Sequence, residues 1–333
     1  MNYSASHWEV LEYDREIFAR ELDSFVPDRI FDVHAHLYRK RFFGRDASTL
    51  IESGPDADME TYYSFLGKLI PGRKINGLFF GFPHASIDIE NNNRFVAGQV
   101  RPDAMSRAQM LVTPGMDPEY VRETVRRHRF AGLKCYHVFS SEAPTFDATI
   151  PSYLPEAHVR IAHEEKLSIT LHMVRPRGLA DPHNQTTIRS WASKYSGVRF
   201  ILAHAARGFN PYHTIEGIGA LRGLTNIWCD TSAVTEGGAF EAIVETLGVD
   251  RLLYGSDFPI SHLRGRCVAI GDSFLWLHPE NTNFMAAHAE VWPTLIGIES
   301  LRVLKRACIH LRLKDREIER IFRGNAAEMY SLT

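Results

Sequence analysis

Residues 199–204 read RFILAH, in which four consecutive apolar residues stand between an arginine and a histidine. Such an uninterrupted apolar run indicates a strand buried on both faces, as in a parallel sheet that is covered by helices. Seven other stretches have a comparable β-rich character, which brings the number of predicted strands to eight. The predicted strands are Ile30–His34, Ile75–Gly81, Ala108–Thr113, Ala131–Tyr136, Ser168–His172, Arg199–His204, Asn226–Asp230 and Arg251–Gly255.

Helical stretches lie between these strands. Asp117–Arg129 opens with Asp-Pro, a favourable helix start, and Leu154–Lys166 and Gly237–Leu247 have a similar character. Strands that alternate with helices favour parallel pairing with right-handed crossovers. Eight such units predict an α/β fold, a TIM-type (β/α)₈ barrel in a single domain over residues 1–333. An open doubly wound sheet is the alternative, but no Gly-x-Gly-x-x-Gly motif follows the first strand.

Three segments exceed a minimal barrel. Residues 1–29 form an N-terminal extension, and residues 37–73 and 259–300 form long insertions after the first and eighth strands. Both insertions would rise from the face where barrel strands end and where active sites form. We expect them to act as lids or substrate walls, with packing or an oligomer contact as the alternative.

Composition excludes several classes of protein. The chain has 333 residues, of which 44% are hydrophobic, and 38 Lys and Arg residues nearly balance 40 Asp and Glu residues. This balance argues against a general nucleic-acid binder, and no stretch approaches the roughly 20 apolar residues of a membrane-spanning helix. Four widely spaced cysteines and the absence of a signal-peptide pattern predict reduced thiols and a cytoplasmic protein that handles small molecules.

His34 and His36 lie two residues apart in the first predicted strand. Side chains at this spacing project from the same face of a strand, so the two imidazoles form half of a site for zinc or a similar metal. Alone the motif is weak, because one buried and one exposed histidine would give the same pattern.

Three further polar residues follow apolar strands. His172 ends the fifth strand, His204 ends the sixth, and Asp257 follows the eighth. Each would be costly as an unpaired polar group beside an apolar core. Because all strand ends of a barrel gather at one mouth, the conjunction predicts a shared metal site.

The motifs around these residues resemble those of the amidohydrolase superfamily, in particular its amidohydrolase 2 branch. That branch includes aminocarboxymuconate-semialdehyde decarboxylase and related aromatic-acid decarboxylases, alongside lactonases and other hydrolases. The order and spacing of the motifs are specific for the superfamily and not for one reaction. The matching pieces, which span residues 31–330, are FDVHAH, GLKCY, ITLHM, FILAHA, WCDTS, LLYGSDFP and IFRGNAAEMY.

The resemblance implies a role for each site residue. One divalent ion, zinc or else another such as Mn²⁺, would be bound by the side chains of three histidines and one aspartate. His204 would polarise a metal-bound water or carry a proton, and Asp257 would add proton acceptance to ligation. The implied ligands are His34, His36, His172 and Asp257.

Lys134 lies near the position of a lysine that other superfamily members carry in carboxylated form, where it bridges two metals. The alternative is an ordinary ammonium that faces an anionic substrate or a carboxylate. We favour the ammonium, because the remaining ligands suffice for one metal.

Cationic and polar residues cluster near the predicted mouth. They predict a small substrate that bears a carboxylate, since arginine binds this group bidentately. Salt bridges on a solvated rim are the alternative for each arginine. The predicted substrate contacts are Lys134, Tyr136, Arg175, Arg177 and Arg207.

The favoured function is a metal-dependent hydrolase that acts on an amide, ester or lactone. A metal-dependent decarboxylase of an aromatic or unsaturated acid is the first alternative, and a non-catalytic binding protein is the second. The resemblance to the decarboxylases also leads us to expect a homodimer, with the final long loop as a contact.

Overall fold

Eight parallel strands form a nearly closed barrel in which each strand pairs with its neighbours in chain order. This computed structural model describes residues 8–44, 49–279, 281–282, 285–286, 289–290 and 292–332, so parts of both predicted insertions lie outside the described residues. The predicted (β/α)₈ barrel is confirmed. Its strands are β1 Arg29–Leu37, β2 Lys74–Gly81, β3 Arg107–Leu111, β4 Gly132–Cys135, β5 Ser168–Leu171, β6 Arg199–Leu202, β7 Ile227–Asp230 and β8 Leu252–Leu253.

The barrel closes where β8 and the residues after it meet β1. The backbone N–H of Val33 donates to the carbonyl of Tyr254 at 2.9 Å, and that of His36 donates to Phe258 at 2.8 Å. Ala35 and Phe258 form a parallel bridge. The regular part of β8, Leu252–Leu253, is shorter than the predicted Arg251–Gly255. Two residues beyond the predicted end, Asp257 has a left-handed backbone conformation (φ 60°).

Helices cover the barrel and separate its strands. The predicted helix Leu154–Lys166 is shorter in the structure and spans Glu156–Glu164. It begins after Pro155, which disfavours helical geometry at Leu154 and separates this helix from the short helix Ile150–Tyr153 before it. Among the described residues, no helix combines the length and apolar character needed to cross a bilayer. The helices are α1 Glu12–Ile17, α2 Thr49–Ser53, α3 Met59–Leu69, α4 Ile89–Val100, α5 Pro118–His128, α6 Ile150–Tyr153, α7 Glu156–Glu164, α8 Pro182–Lys194, α9 Pro211–Gly217, α10 Ala239–Leu247, α11 Ile296–His310, α12 Asp315–Glu319 and α13 Asn325–Tyr330.

The last helix seals the end of the barrel where strands begin. The Tyr330 hydroxyl lies 2.8 Å from that of Ser168, the first residue of β5. The Asn325 amide donates to the carbonyls of Val249 and Leu252 at 2.9 Å each. Access from solvent is therefore left to the opposite end, where the strands finish.

A buried ion pair ties the N-terminal extension to the insertion after β8. The Asp14 carboxylate in α1 accepts hydrogen bonds from the Arg264 guanidinium at 2.6 and 3.0 Å and from the Thr294 hydroxyl at 2.7 Å. Asp14 and Arg264 are both buried. The extension thus braces the insertion, and Arg264 also lines a cavity at the mouth of the barrel.

We expect Asp14→Ala to lower the free energy of unfolding by about 3 kcal/mol, because it leaves the buried Arg264 charge without its partner. Urea unfolding followed by circular dichroism measures the change. Glu90→Ala is the matched control, since Glu90 pairs with Arg94 in an exposed i,i+4 contact and should matter far less. Equal losses in the two variants would contradict the assigned role of the buried pair.

Candidate active site

The Asp257 carboxylate lies between the two histidines of β1. Its Oδ1 atom is 3.4 Å from Nε2 of His34 and 3.4 Å from Nε2 of His36. The backbone N–H of Asp257 donates to the carbonyl of His34 at 2.8 Å, so the seam that closes the barrel also positions the carboxylate. All three residues are buried at the mouth of the barrel.

The sequence predicted that His204 ends a strand, but in the structure this residue lies in a left-handed turn. Strand β6 stops at Leu202, and His204–Arg207 have φ angles of 57°, 51°, 59° and 64°. Left-handed geometry costs a non-glycine residue about 1–2 kcal/mol, so four in succession mark a strained segment of the kind found at functional sites. The turn brings Nδ1 of His204 to 4.0 Å from the Asp257 carboxylate.

The residues that the structure gathers most closely differ in part from the predicted ligand set. Among the described residues, His34, His204 and Asp257 form a group whose potential ligand atoms lie within 4.8 Å of one another. His36 contacts Asp257 but is outside this group. The His172 ring is 5.0 Å from the His204 ring, and its Nδ1 is buried without a hydrogen-bond partner in the described part of the chain. Ligation by His36 and His172 therefore stays a prediction.

Burial sets the protonation of these groups. It holds the pKa values of His34, His36 and His172 below the ordinary range, and repulsion from the Lys134 ammonium adds to the effect at His34. Burial alone would raise the pKa of the Asp257 carboxyl, but the neighbouring imidazoles, led by His34, hold it well below its usual value. Neutral imidazoles beside an ionised carboxylate are the protonation states that a divalent cation requires, so these residues fit a metal ion.

Asp230 and Ser232, at the end of β7, orient two of the imidazoles. The His34 Nδ1–H donates to Asp230 at 2.9 Å, and the His204 backbone N–H donates to the same carboxylate at 2.8 Å. The His204 Nδ1–H donates to the Ser232 carbonyl at 2.9 Å, while the Ser232 hydroxyl donates to Asp230 at 2.5 Å. Sequence reasoning left Asp230 without a role, although it ends an apolar strand just as His172 and His204 were expected to do.

Lys134 is a buried cation beside the histidines. Its side chain is 0% exposed, and Nζ lies 3.3 Å from Nε2 of His34 and 4.5 Å from the centre of the Phe80 ring. Burial lowers the pKa of Lys134 to about 8, with the charges of Asp230 and Asp257 opposing the shift. The two nearby carboxylates thus favour the ammonium form, against the effect of burial.

A cavity of about 840 Å³ opens above the cluster and has largely aromatic and aliphatic walls. The insertion after β8 supplies one wall as an antiparallel hairpin of β9 Arg266–Ile270 and β10 Ser273–Leu277. The insertion after β1 contributes Leu50. The lining residues are Leu50, Tyr136, His137, Phe146, His172, His204, Arg207, Phe209, Asp257, Ile260, Leu263, Arg264, Phe274, Trp276, Leu277, His278 and Ile296.

Of the three arginines that we predicted to contact substrate, Arg207 lines this cavity. It is 8% exposed and lies 5.4 Å from the centre of the Phe274 ring and 5.9 Å from that of Phe146. Its guanidinium donates to the Met173 carbonyl at 3.3 Å, and within the described residues it has no carboxylate partner. Burial lowers the pKa of Arg207, as expected for an unbalanced cation. Tyr136, another predicted contact, lines the same cavity.

Arg175 and Arg177 are not among the residues that line the cavity, so their contact with substrate stays a prediction. Arg175 pairs with Asp181 at 2.9 Å. Arg177 has a side chain that is 40% exposed and pairs with Glu216 at 2.5 Å and Asp272 at 3.2 Å. Nearby acids already balance both charges, so the alternative of rim salt bridges applies to them.

Comparison with known proteins identifies one matching family model and several structures with a similar fold. The family model described as Amidohydrolase matches residues 31–332. A zinc-bound amidohydrolase from Burkholderia multivorans is 13% identical, covers 91% of this chain and 99% of its own, and has a TM-score of 0.59. A probable 2-pyrone-4,6-dicarboxylic acid hydrolase from Acinetobacter baumannii is also 13% identical, with coverages of 91% and 99% and a TM-score of 0.56.

A third similar structure is 5-carboxyvanillate decarboxylase from Sphingomonas paucimobilis, at 13% identity, coverages of 92% and 100%, and a TM-score of 0.51. At these identities the structural likeness establishes the fold alone. A search of the curated proteins found no match.

We expect Asp230→Asn to weaken zinc binding about 10- to 100-fold, because the amide removes the charge that orients and polarises His34. Isothermal titration calorimetry measures the affinity. Asp250→Asn is the matched control, since Asp250 is exposed and pairs with Arg320 away from the site. Unchanged affinity in Asp230→Asn would show that the carboxylate has no part in holding the ligands.

Proposed function

Because the chain belongs to the amidohydrolase family, we propose that it is a metal-dependent hydrolase of a small, carboxylate-bearing amide, ester or lactone. One observation carries the proposal: an ionised carboxylate, Asp257, lies 3.4 Å from two imidazole nitrogens on the floor of a cavity that opens to solvent. Such a donor set suits zinc, with Mn²⁺ as an alternative.

When bound, the metal would lower the pKa of a water molecule towards about 7 and polarise the scissile carbonyl. His34, His36, His172 and Asp257 would hold the ion. These side chains are buried, and burial keeps their imidazoles neutral. A neutral imidazole can bind a cation without first losing a proton, which supports the assignment.

His204 is suited to accept a proton from the attacking water. Its Nδ1 lies 2.9 Å from the carbonyl oxygen of Ser232, which can only accept, so the proton of the neutral ring resides on Nδ1. Nε2 is then the basic nitrogen. The nearby Asp257 carboxylate would stabilise the imidazolium that forms, as expected for general base catalysis.

Arg207 supports the assignment of an anionic substrate. A buried guanidinium without a carboxylate partner is costly, and a substrate carboxylate would relieve that cost through a charge-assisted bidentate contact. The apolar walls around it, including Phe274 and Phe146, favour an unsaturated or aromatic body on the same substrate.

A panel of carboxylate-bearing lactones, esters and amides tests the reaction. We expect turnover with oxygen from labelled water in the product, and we expect a chelator to abolish it until zinc is restored. Mass spectrometry of the products provides the measurement.

Release of carbon dioxide without incorporation of labelled oxygen would instead establish the decarboxylase alternative. Full activity after verified removal of metal would refute metal dependence in either reaction.

We expect Arg207→Met to raise KM for such a substrate about 10- to 100-fold, because it removes a charge-assisted contact inside a desolvated cavity. Steady-state kinetics provides the measurement. Arg177→Met is the matched control, since this arginine is partly exposed and paired on the rim. A comparable rise in the control would point to general electrostatic attraction and not to a specific anchor.

A further inference from the structure

We propose that the buried ammonium of Lys134 competes with the metal for Nε2 of His34 and thereby limits the affinity of the site. This inference rests on the metal-dependent function proposed above. It assigns Lys134 a role opposite to that of a metal-bridging lysine, because an ammonium repels a cation whereas a carboxylated lysine would bind it.

The contact between the two side chains is direct. Nζ of Lys134 lies 3.3 Å from Nε2 of His34, and within the described part of the chain no carboxylate lies at ion-pair distance from this ammonium. Phe80 lies beneath the ammonium at 4.5 Å from its ring centre and offers only a cation–π contact. The lone pair of His34 is therefore the principal acceptor for this buried cation.

Hydrogen bonding fixes which nitrogen of His34 carries the proton. An ammonium has donors and no acceptor, so Nε2 must be the unprotonated nitrogen. The arrangement agrees with the opposite side of the ring, where Nδ1 donates to Asp230 at 2.9 Å. A metal bound through Nε2 would use the same lone pair, and one lone pair cannot serve both partners.

Charge reinforces this competition. Asp230 and Asp257 are buried carboxylates that interact with Lys134 through space, so the lysine already balances part of their charge. A divalent cation that enters beside Asp257 gains less from these carboxylates and meets a like charge a few ångströms away. The site should consequently bind its metal more weakly than the same ligands would without the lysine.

The test measures zinc affinity by calorimetry in the full-length protein and in Lys134→Leu. Leucine brings no donor atom, so tighter binding cannot arise from a new ligand. We expect zinc to bind about tenfold or more tightly to the variant, in line with removal of a nearby like charge. The visible absorption of bound Co²⁺ should rise in parallel at a given cobalt concentration, independently of any activity.

Lys74→Leu is the matched control, because Lys74 is exposed at the start of β2, at the opposite end of the barrel. Lys134→Ile also removes the charge without adding a donor atom, and it replaces leucine if that variant does not fold. Equal or weaker zinc binding in the folded Lys134 variant overturns the inference while leaving the metal site intact. Failure of zinc to bind to either protein overturns the metal site itself, and the inference with it.

Discussion

The seam between β8 and β1 connects closure of the barrel to assembly of the candidate site. Parallel pairing joins Ala35 to Phe258, and within this pairing the Asp257 N–H donates to the carbonyl of His34. Any change of register here would move the carboxylate away from the imidazoles, because neighbouring strand residues face opposite sides. The left-handed conformation of Asp257 then turns its side chain back towards β1. Fold and chemistry thus depend on one set of backbone hydrogen bonds.

The alternation of apolar runs and helices was enough to predict the barrel, since burial of both faces of parallel strands leaves a strong local pattern. The same pattern predicted that polar residues such as His172, His204 and Asp257 would gather at one mouth. Local patterns could not reveal the left-handed turn at His204–Arg207, because alanine and arginine rarely adopt it unless the surrounding structure requires it. They also left Asp230 unassigned, since its partners are distant in sequence.

The arginines show a second limit of sequence reasoning. Arg175, Arg177 and Arg207 all follow strand-end histidines, and proximity to the mouth made them equivalent candidates. Their difference lies in acids elsewhere in the chain, such as Asp272 from the β9–β10 hairpin, which pairs with Arg177. Arg207 has no such partner among the described residues and is surrounded by aromatic rings. Whether an arginine is free to bind a substrate carboxylate therefore depends on which acids the folded chain brings next to it.

Asp230 links the two halves of the candidate site. Its carboxylate accepts from the His34 ring and from the backbone of His204, so one buried charge positions a proposed ligand and a proposed base. The Ser232 hydroxyl, which donates to the same carboxylate, lies 2.9 Å from Nδ1 of His204. Both imidazoles consequently keep their protons on Nδ1 and leave Nε2 as the reactive nitrogen. At His34, Nε2 faces Lys134. Because the hydrogen bond to Asp230 leaves Nε2 unprotonated, this nitrogen can bind a metal or accept a hydrogen bond from the ammonium.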